Sequence, residues 1–470
     1  MNIKAVSAVA LVFSLLSASV QADFKLGAMY YEQGDMQKAY EEFKLASAYG
    51  DKDAQFNIAA MYFRGQHLDK DLVKSYAWFA LSGATGHPQG SELSDKVYNR
   101  LSAEQKAQAD KEKNKLLSQY SKENIINSLS PELSLGAAVS EPYKVLRRKA
   151  PEYPRNMARR GKTGWVDVMY TIAEDGTTRD HTVLYSNEKG FDNAAIEATR
   201  ASLYEPRTVN GKPVVTPGVR IRMVFQLAGN YLVASKLEEL LAEQKQQAET
   251  GDASEQFVYG YTLGAASSFT DGLTNRFGEE VEIQGFKENA NTWFEKAAAN
   301  DNASAAYFLG LNTLQGRYCE RDTYKSAGWL YRAAMLGNAD AKYALAIEYM
   351  GGASFPKDET KGLYWLSEAA QSLPEAKLRY AAYLARSENN NQDAIAKARE
   401  YFSQVPEDHA DRLTYYEVAA AVASAEGDLA SAKNWQEKAV KEAESLDLPL
   451  ERYKSTLSNY EKSIKNNKSA

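Results

Sequence analysis

The chain has 470 residues and a formal net charge of −6, with 44% hydrophobic and 25% charged residues. This composition is ordinary for globular protein, and the length is sufficient for two to four domains. Residues 141–230 hold 15 Lys/Arg against 10 Asp/Glu, whereas the remainder holds 41 against 52. The basic excess indicates either a solvated face or attraction to an acidic partner segment, and it excludes the charge density of a nucleic-acid binder.

Residues 1–22 are typical of a secretory signal peptide. Lys4 precedes an apolar run from Ala5 to Leu16, and Val20-Gln21-Ala22 places small residues at the cleavage positions. The run falls short of the ~20 residues that a bilayer-spanning helix needs. We expect cleavage after Ala22 and no bilayer-spanning segment in the mature chain, with an uncleaved membrane anchor as the alternative.

Residues 23–90 and 230–460 share a period of 36 residues. Tyr40 and Tyr76 have this spacing, and Trp293, Trp329 and Trp365 repeat it. Ala305 and Ala341 are also 36 residues apart, as are Gly316 and Gly352, and Ala54 and Gly65 align with them in the earlier copies. Such a pattern predicts stacked helix pairs, with small residues where helices cross and tryptophans in the core rather than at a ligand site.

The pattern resembles the Sel-one-like repeat, a relative of the tetratricopeptide repeat. We expect two copies before residue 91 and three or more after residue 230. Residues 91–142 predict a charged helix and a short linker, with a capping box at Ser102 to Gln105. The final residues, 461–470, are expected to form a flexible tail.

Residues 143–229 predict strands inside a chain that otherwise predicts helices. After a short helix ending before Gly161, Gly164–Ile172 and Thr178–Ser186 alternate as strands around a turn at Asp175-Gly176. A second helix is predicted from Asp192 to about Leu203, and a second turn at Asn210-Gly211. The last strand, Val219–Leu227, has apolar odd-numbered residues, with Arg220 and Arg222 on its other face.

The order and spacing of these features resemble the C-terminal domain of the TonB family. The matching residues are Pro151, Tyr153, Pro154, Ala158, Gly161, Gly164, Val166, Asp175, Gly176, Phe191, Asp192, Ala194, Ala195, Pro206, Asn210 and Gly211. One departure is that Ser202-Leu203 precede Tyr204-Glu205-Pro206, where the family often has an aromatic–basic pair. Contacts of that pair are therefore not carried over.

The resemblance implies an α+β fold: a small domain of two helices and a three-stranded antiparallel sheet, flanked by all-α solenoid segments. It also implies a Gram-negative periplasm, where a peptide of an outer-membrane TonB-dependent receptor adds to the last strand. The candidate partner-binding residues are Tyr153, Pro154, Val219, Arg220, Ile221, Arg222, Met223, Val224, Phe225, Gln226 and Leu227. Arg220 and Arg222 are expected to meet acidic side chains of the incoming strand.

No catalytic, cofactor or metal site is predicted. The histidines are scattered without metal-ligand spacing, and no nucleophile elbow or phosphate loop appears. His181 is expected at the surface or rim of the domain, and Cys319 as a packed or half-exposed thiol. The sequence thus favours a binding protein over an enzyme.

Three functions remain open on the sequence alone. The first is a periplasmic adaptor that engages TonB-dependent receptors, and other TonB-system or cell-envelope proteins through its repeats. The second is a helical-repeat scaffold whose TonB-like domain is structural. The third is a membrane-anchored energy transducer, although the chain has no long Pro-rich spacer of the kind that TonB-family transducers carry.

We predict that the exported protein begins at Asp23, because the apolar run is short and ends before small residues at the cleavage positions. N-terminal sequencing of the mature protein checks this directly. A chain that still begins at Met1 and stays with inner membranes after carbonate washing would contradict it.

Overall fold

The computed structural model describes residues 22–134, 143–186, 188–227, 234–267, 288–352, 354–386, 391–407 and 411–469. The signal-peptide prediction, except for its last residue, lies outside the described residues. The same holds for most of the predicted linker. No helix in the described ranges has the length and apolarity needed to cross a membrane.

Among the described residues, seven helices precede the central domain. They are α1 (Ala22–Glu32), α2 (Met36–Ala48), α3 (Lys52–Arg64), α4 (Leu72–Ala84), α5 (Gly90–Tyr98), α6 (Ala103–Tyr120) and α7 (Lys122–Leu129). The charged helical segment expected after residue 90, with a second part starting at the capping box, therefore forms three helices. The capping box at Ser102 is present and starts α6, while Ser121 caps α7 and so divides the segment again.

The central domain contains seven strands and two α-helices among its described residues. They are β1 (Lys144–Arg147), α8 (Arg155–Arg159), β2 (Gly164–Ile172), β3 (Thr178–Ser186), α9 (Asp192–Arg200), β4 (Leu203–Glu205), β5 (Thr208–Val209), β6 (Lys212–Pro213) and β7 (Thr216–Phe225). An antiparallel sheet of order β3-β2-β7 confirms the expected fold. Two small ladders, β1–β4 and β5–β6, are additional. Asn210 and Gly211, both at positive φ, form the turn between β5 and β6.

Twelve helices follow the domain in the ranges that the structure describes. They are α10 (Ala234–Ala248), α11 (Ala253–Ser267), α12 (Ala290–Ala299), α13 (Ala303–Gln315), α14 (Thr323–Met335), α15 (Ala339–Gly351), α16 (Glu359–Ala369), α17 (Pro374–Ala385), α18 (Gln392–Ser403), α19 (Arg412–Ala425), α20 (Leu429–Ser445) and α21 (Glu451–Ser469). From α11 to α20 they pack as consecutive pairs. We call the first helix of each pair, α11, α13, α15, α17 and α19, an inner helix.

The 36-residue period has a physical origin in helix capping. Asn302 and Asn338 occupy the same place before α13 and α15, and each side chain accepts the amide of the alanine three residues later. Gly316 and Gly352 end these helices at φ 69° and 65°, in the left-handed region that favours glycine. The repeated alanines and glycines therefore mark where each helix begins and ends.

The sheet of the central domain is covered on both faces. Val166, Val168, Tyr170 and Ile172 of β2 pack with the domain's own helices, whereas Met169 belongs to the core of the helical repeats. All nine residues of β2 are buried. The repeat-side contacts come from the inner helices, so the domain lies against that row of the array.

The N-terminal repeats pack on the other helices of the array. Lys361 of α16 pairs with Glu42 of α2 at 2.8 Å, and Tyr49 stacks on Tyr331 of α14 with ring centroids 5.1 Å apart. The indole Nε1 of Trp329 donates to the Leu129 carbonyl at 2.8 Å. Trp329 and Trp365 are fully buried, which confirms the expectation that the tryptophans are core residues.

We predict that Trp329→Ala lowers the free energy of unfolding by roughly 3–5 kcal/mol, because a large buried aromatic leaves a cavity that its neighbours do not fill. Urea denaturation of the mature chain measures this. Tyr324→Ala is the matched control, since Tyr324 begins the same helix with 66% of its surface exposed. Its effect should stay within about 0.5 kcal/mol. Equal free energies of unfolding for wild type and Trp329→Ala would contradict the placement of Trp329 in the core.

Candidate functional site

The odd-numbered residues of β7 form part of the domain core. Val219, Met223 and Phe225 are buried there, and Ile221 packs against the same cluster half-buried. The Phe225 ring stacks on Phe191 with centroids 4.3 Å apart. This part of the candidate site therefore holds the strand in place and presents no side chain to a partner.

Tyr153 and Pro154 fix the chain beside the end of β7. The Tyr153 ring meets Phe191 and Phe225 edge-on at 5.4 and 5.8 Å, and its hydroxyl donates to the Lys162 carbonyl. Burial raises the pKa of Tyr153. Pro154 lies at the N-cap of α8, one residue before the first helical position, which is where a proline is favoured. Gly161 ends the segment at φ 59° as expected.

Arg222 is neutralised within the chain. Its Nε and Nη2 donate to the two carboxylate oxygens of Asp167 at 2.7 and 2.6 Å, a bidentate pair across β2 and β7. Tyr261 of α11 donates its hydroxyl to the same carboxylate at 2.6 Å. Burial, with Asp167 beside it, raises the pKa of Tyr261.

Arg220 is held by the repeats. Its Nη2 donates to the side-chain oxygens of Asn312 and Gln315 on α13, and its guanidinium lies 5.3 Å from the centre of the Phe308 ring. Burial, reinforced by nearby Arg317, lowers the pKa of Arg220 to about 10. The expectation that Arg220 and Arg222 point to an incoming strand is therefore wrong, since both contact the chain itself.

The end of β7 is the accessible part of the candidate site. Val224 is 38% exposed, Gln226 is exposed and Leu227 is half-buried. In the described part of the chain, β7 is hydrogen-bonded to one neighbouring strand, β2. Near its start, by contrast, Gln315 donates to the Gly218 carbonyl at 2.8 Å, and Gly218 packs on Leu311. A partner strand thus has more room at the Val224 end.

A buried cluster of charges joins the far side of the sheet to the last repeats. Arg179 of β3 donates to Glu417 and to the Tyr453 hydroxyl, at 3.2 and 3.0 Å. Asp411, which caps α19, lies 3.4 Å from His181 and 3.1 Å from Arg200. Burial alone would raise the pKa of Asp411, but His181, Arg200 and Arg179 hold it well below its ordinary value.

This cluster corrects one expectation and adds residues that the sequence did not reveal. The His181 side chain is 1% exposed, so it does not lie at the surface. Its environment depends on Asp411, which is 230 residues away in sequence. The local signal in the sequence was an arginine and a histidine at alternate strand positions, Arg179 and His181, which does not identify a partner.

The described residues contain no group of three or more His, Cys, Asp or Glu arranged to hold a metal ion. Cys319 is buried, and burial raises the pKa of its thiol to about 11, so it is a poor nucleophile. The chemistry of the site is therefore that of hydrogen bonding and packing along a strand edge.

Two family models match the chain. Residues 149–227 match the Gram-negative bacterial TonB protein C-terminal model, and residues 20–47, 52–87, 287–302, 303–338 and 339–372 match the Sel1 repeat. The chain carries a TonB C-terminal domain between Sel1 repeats. Two matches before the domain and three after it confirm the expected repeat count. Both modules act in protein–protein interaction, which supports a TonB-family, repeat-containing envelope protein.

Solved structures give weaker likenesses. A protective antigen of uropathogenic Escherichia coli displaying an SLR fold is 15% identical over 94% of this chain and 79% of its own, with a TM-score of 0.32. A Sel1 repeat protein of Oxalobacter formigenes is 16% identical over 89% and 82%, with a TM-score of 0.31. The Pseudomonas aeruginosa TonB C-terminal domain is 32% identical over 20% and 93%, with a TM-score of 0.18. No curated protein sequence matches the chain. The assignment rests on the family models.

We predict that Asp411→Asn lowers the free energy of unfolding by about 3–5 kcal/mol at neutral pH, because it removes the buried carboxylate beside His181 and Arg200, of which Arg200 alone keeps a second carboxylate, Glu197. Asparagine keeps the helix cap, so the loss reports the charge. The lowered pKa of Asp411 means that its stabilisation is complete above the unfolded value of about 4 and is lost as pH falls further.

The difference between wild type and Asp411→Asn should therefore be constant from neutral pH to about pH 5 and shrink below about pH 4. Urea denaturation at several pH values measures it. Exposed Asp69→Asn is the control and should change little throughout. A difference that does not depend on pH below 4 would contradict the charge cluster.

Proposed function

We propose that the protein is a periplasmic adaptor that binds TonB-dependent outer-membrane receptors by strand addition, in support of energised transport. The observation that carries this proposal is that β7, in a TonB C-terminal domain, is an edge strand with an exposed Val224 side chain near its end. Edge strands offer backbone amides and carbonyls to another chain. A receptor peptide then becomes a fourth strand beside β7.

The side chains around β7 limit what drives this binding. Because Arg220 and Arg222 are already paired, ion pairs with the peptide contribute little. Backbone hydrogen bonds and apolar contact at Val224 remain, the latter beside Trp165, which lies opposite Val224 in β2. We therefore expect an affinity that depends weakly on salt, since hydrogen bonds are screened less than exposed charges.

The repeats hold the domain in one orientation. Four inner helices bind it through hydrogen bonds to all three strands of the sheet. Tyr261 and Tyr343 donate to Asp167 and Asp180, whereas Asn312 and Glu417 accept from Arg220 and Arg179. A receptor strand bound to β7 is thereby tied to the whole array. The adaptor can then dock a receptor, or bridge it to other TonB-system proteins, through surfaces of the repeats that the domain leaves uncovered.

A second candidate function is a repeat scaffold for cell-envelope proteins in which the domain is structural. The covered sheet favours it. The inner helices belong to the repeats that were expected to bind other proteins, but these helices already bind the chain's own domain. The two functions differ in where receptor peptides bind. If the protein still binds its partners when β7 is blocked, the scaffold is favoured. If it no longer binds receptor peptides, the adaptor is favoured.

We predict that a cysteine at Val224 forms disulfides with receptor N-terminal peptides that carry one cysteine each. Strand addition places alternate peptide residues on the same face as Val224, so the yield should rise and fall with a period of two along the peptide. Non-reducing electrophoresis of the mature chain measures it. Cys319 adds little background because its thiol is buried with a raised pKa.

Lys189→Cys is the matched control, since Lys189 is exposed but lies outside β7. It should give a low yield without periodicity. Equal yields at both positions, or no dependence on peptide position, would exclude strand addition at β7.

A further inference from the structure

A strongly basic stretch follows the start of the central domain. Residues 143–161 contain one acidic residue, Glu152, and seven Lys or Arg. Six of these cations have exposed side chains: Lys144, Arg148, Lys149, Arg155, Arg159 and Arg160. We call these six residues the basic strip. It accounts for much of the positive charge of residues 141–230.

Little in the described part of the chain neutralises the strip. Lys144 lies 3.6 Å from Glu205, but both side chains are more than half exposed, so this pair is weak. The other charge contact of the stretch, among the described residues, belongs to Arg147, outside the strip, which bonds the exposed Asp447 and the Leu446 carbonyl. The strip therefore keeps its positive field toward solvent.

Two aliphatic side chains lie among the cations. Val145 and Leu146 of β1 are 37% and 54% exposed, and they belong to the few large hydrophobic residues exposed in the described ranges. Val145 pairs with Tyr204, but the register of β1 and β4 shifts between Val145 and Arg147, so strict alternation of side chains does not hold at Leu146. Both aliphatic side chains are exposed at this irregularity. Lys144 on one side and Arg148-Lys149 on the other flank this apolar pair.

The strip runs along the domain, with its helical segment on the helix-covered side of the sheet. Val145 pairs with Tyr204, whose hydroxyl bonds Tyr170 at one end of β2. Arg155 and Arg159 belong to α8, beside Tyr153 and the opposite end of β2. Arg155 and Arg159 are four residues apart and share one helix side, while Met157 turns inward. The acidic repeats, by contrast, contact the other sheet face.

We propose that the basic strip, with Val145 and Leu146, binds the surface of an anionic phospholipid bilayer. Cations near such a surface are attracted to its negative headgroups, and each adds to affinity within a Debye length. Aliphatic side chains between them enter the boundary between headgroups and acyl chains. The domain then lies peripherally on the membrane with its helix-covered side toward the lipid.

The composition of the surface favours a bilayer over an acidic protein or a nucleic acid. An acidic segment would pair with the cations, but it covers Val145 and Leu146 only where it also carries apolar side chains, whereas a bilayer always presents both kinds of surface. A nucleic acid binder combines cations with exposed aromatic rings for stacking, and β1 offers none. A bilayer presents negative charge above an apolar layer. The strip offers cations for the charged layer, and Val145 and Leu146 offer aliphatic groups for the apolar layer.

Sedimentation of the mature chain with sucrose-loaded vesicles tests the proposal. We expect binding to vesicles of phosphatidylethanolamine and phosphatidylglycerol, and about tenfold less to phosphatidylcholine alone. Arg148→Glu with Lys149→Glu should reduce binding about tenfold or more. Val145→Ser with Leu146→Ser should also reduce it severalfold at unchanged charge. Arg155→Gln with Arg159→Gln is a milder charge variant that replaces the first if that one fails to fold.

Lys111→Glu with Lys454→Glu is the matched control, because both lysines are exposed on repeat helices and the change in net charge is the same. It should bind like wild type. Equal loss in this control, or wild-type chain that fails to bind anionic vesicles, would overturn the proposal. A serine variant that binds like wild type would show attraction to negative charge alone, as for an acidic protein, and would also overturn it.

Discussion

The side chains of β2 alternate between two cores, and the assembly of the chain depends on this alternation. Val166, Val168 and Tyr170 pack with the domain helices, while Met169 and Asp167 face the repeats. A sheet whose second face carries Met169 and Trp165 needs a cover, because exposing such side chains to water costs free energy. The inner helices supply that cover, so the domain and the array share one buried boundary.

Polar groups on that boundary determine the register of the two parts. Asp167 binds Arg222 and Tyr261 at once, and Tyr343 donates to Asp180 at 2.7 Å. Sliding the sheet by one residue would leave these buried groups unpaired, at a cost that hydrophobic contact alone would not impose. Movement of β7 is therefore coupled to α11 and α13, and a peptide that bends the edge strand also acts on the repeats.

Sequence patterns predicted what depends on nearby residues. Alternation located β2, β3 and most of β7, and the spacing of tryptophans located the repeat core. Sequence patterns did not predict contacts between residues that are distant in the sequence. β1 has four residues, and its partner in β4 lies about 60 residues later, so its strand identity came from the pairing and not from its composition. Arg222 was placed on the correct face but given the wrong partner, because Asp167 becomes its neighbour only in the observed register.

Exposed positive charge is concentrated on one side of the central domain, away from the repeats. The row of inner helices and the sheet they cover bury their ionic groups against charged or polar partners, whereas the basic strip leaves its cations in solvent. Burial of an unpaired cation is costly, so an uncompensated set of this size remains at a surface. The accessible end of β7 lies at the α8 end of the sheet, where Tyr153 meets Phe225. A protein lying with its strip on an anionic surface would thus hold that strand end close to the same surface, and a partner strand would approach it along the membrane rather than from the acidic side of the array.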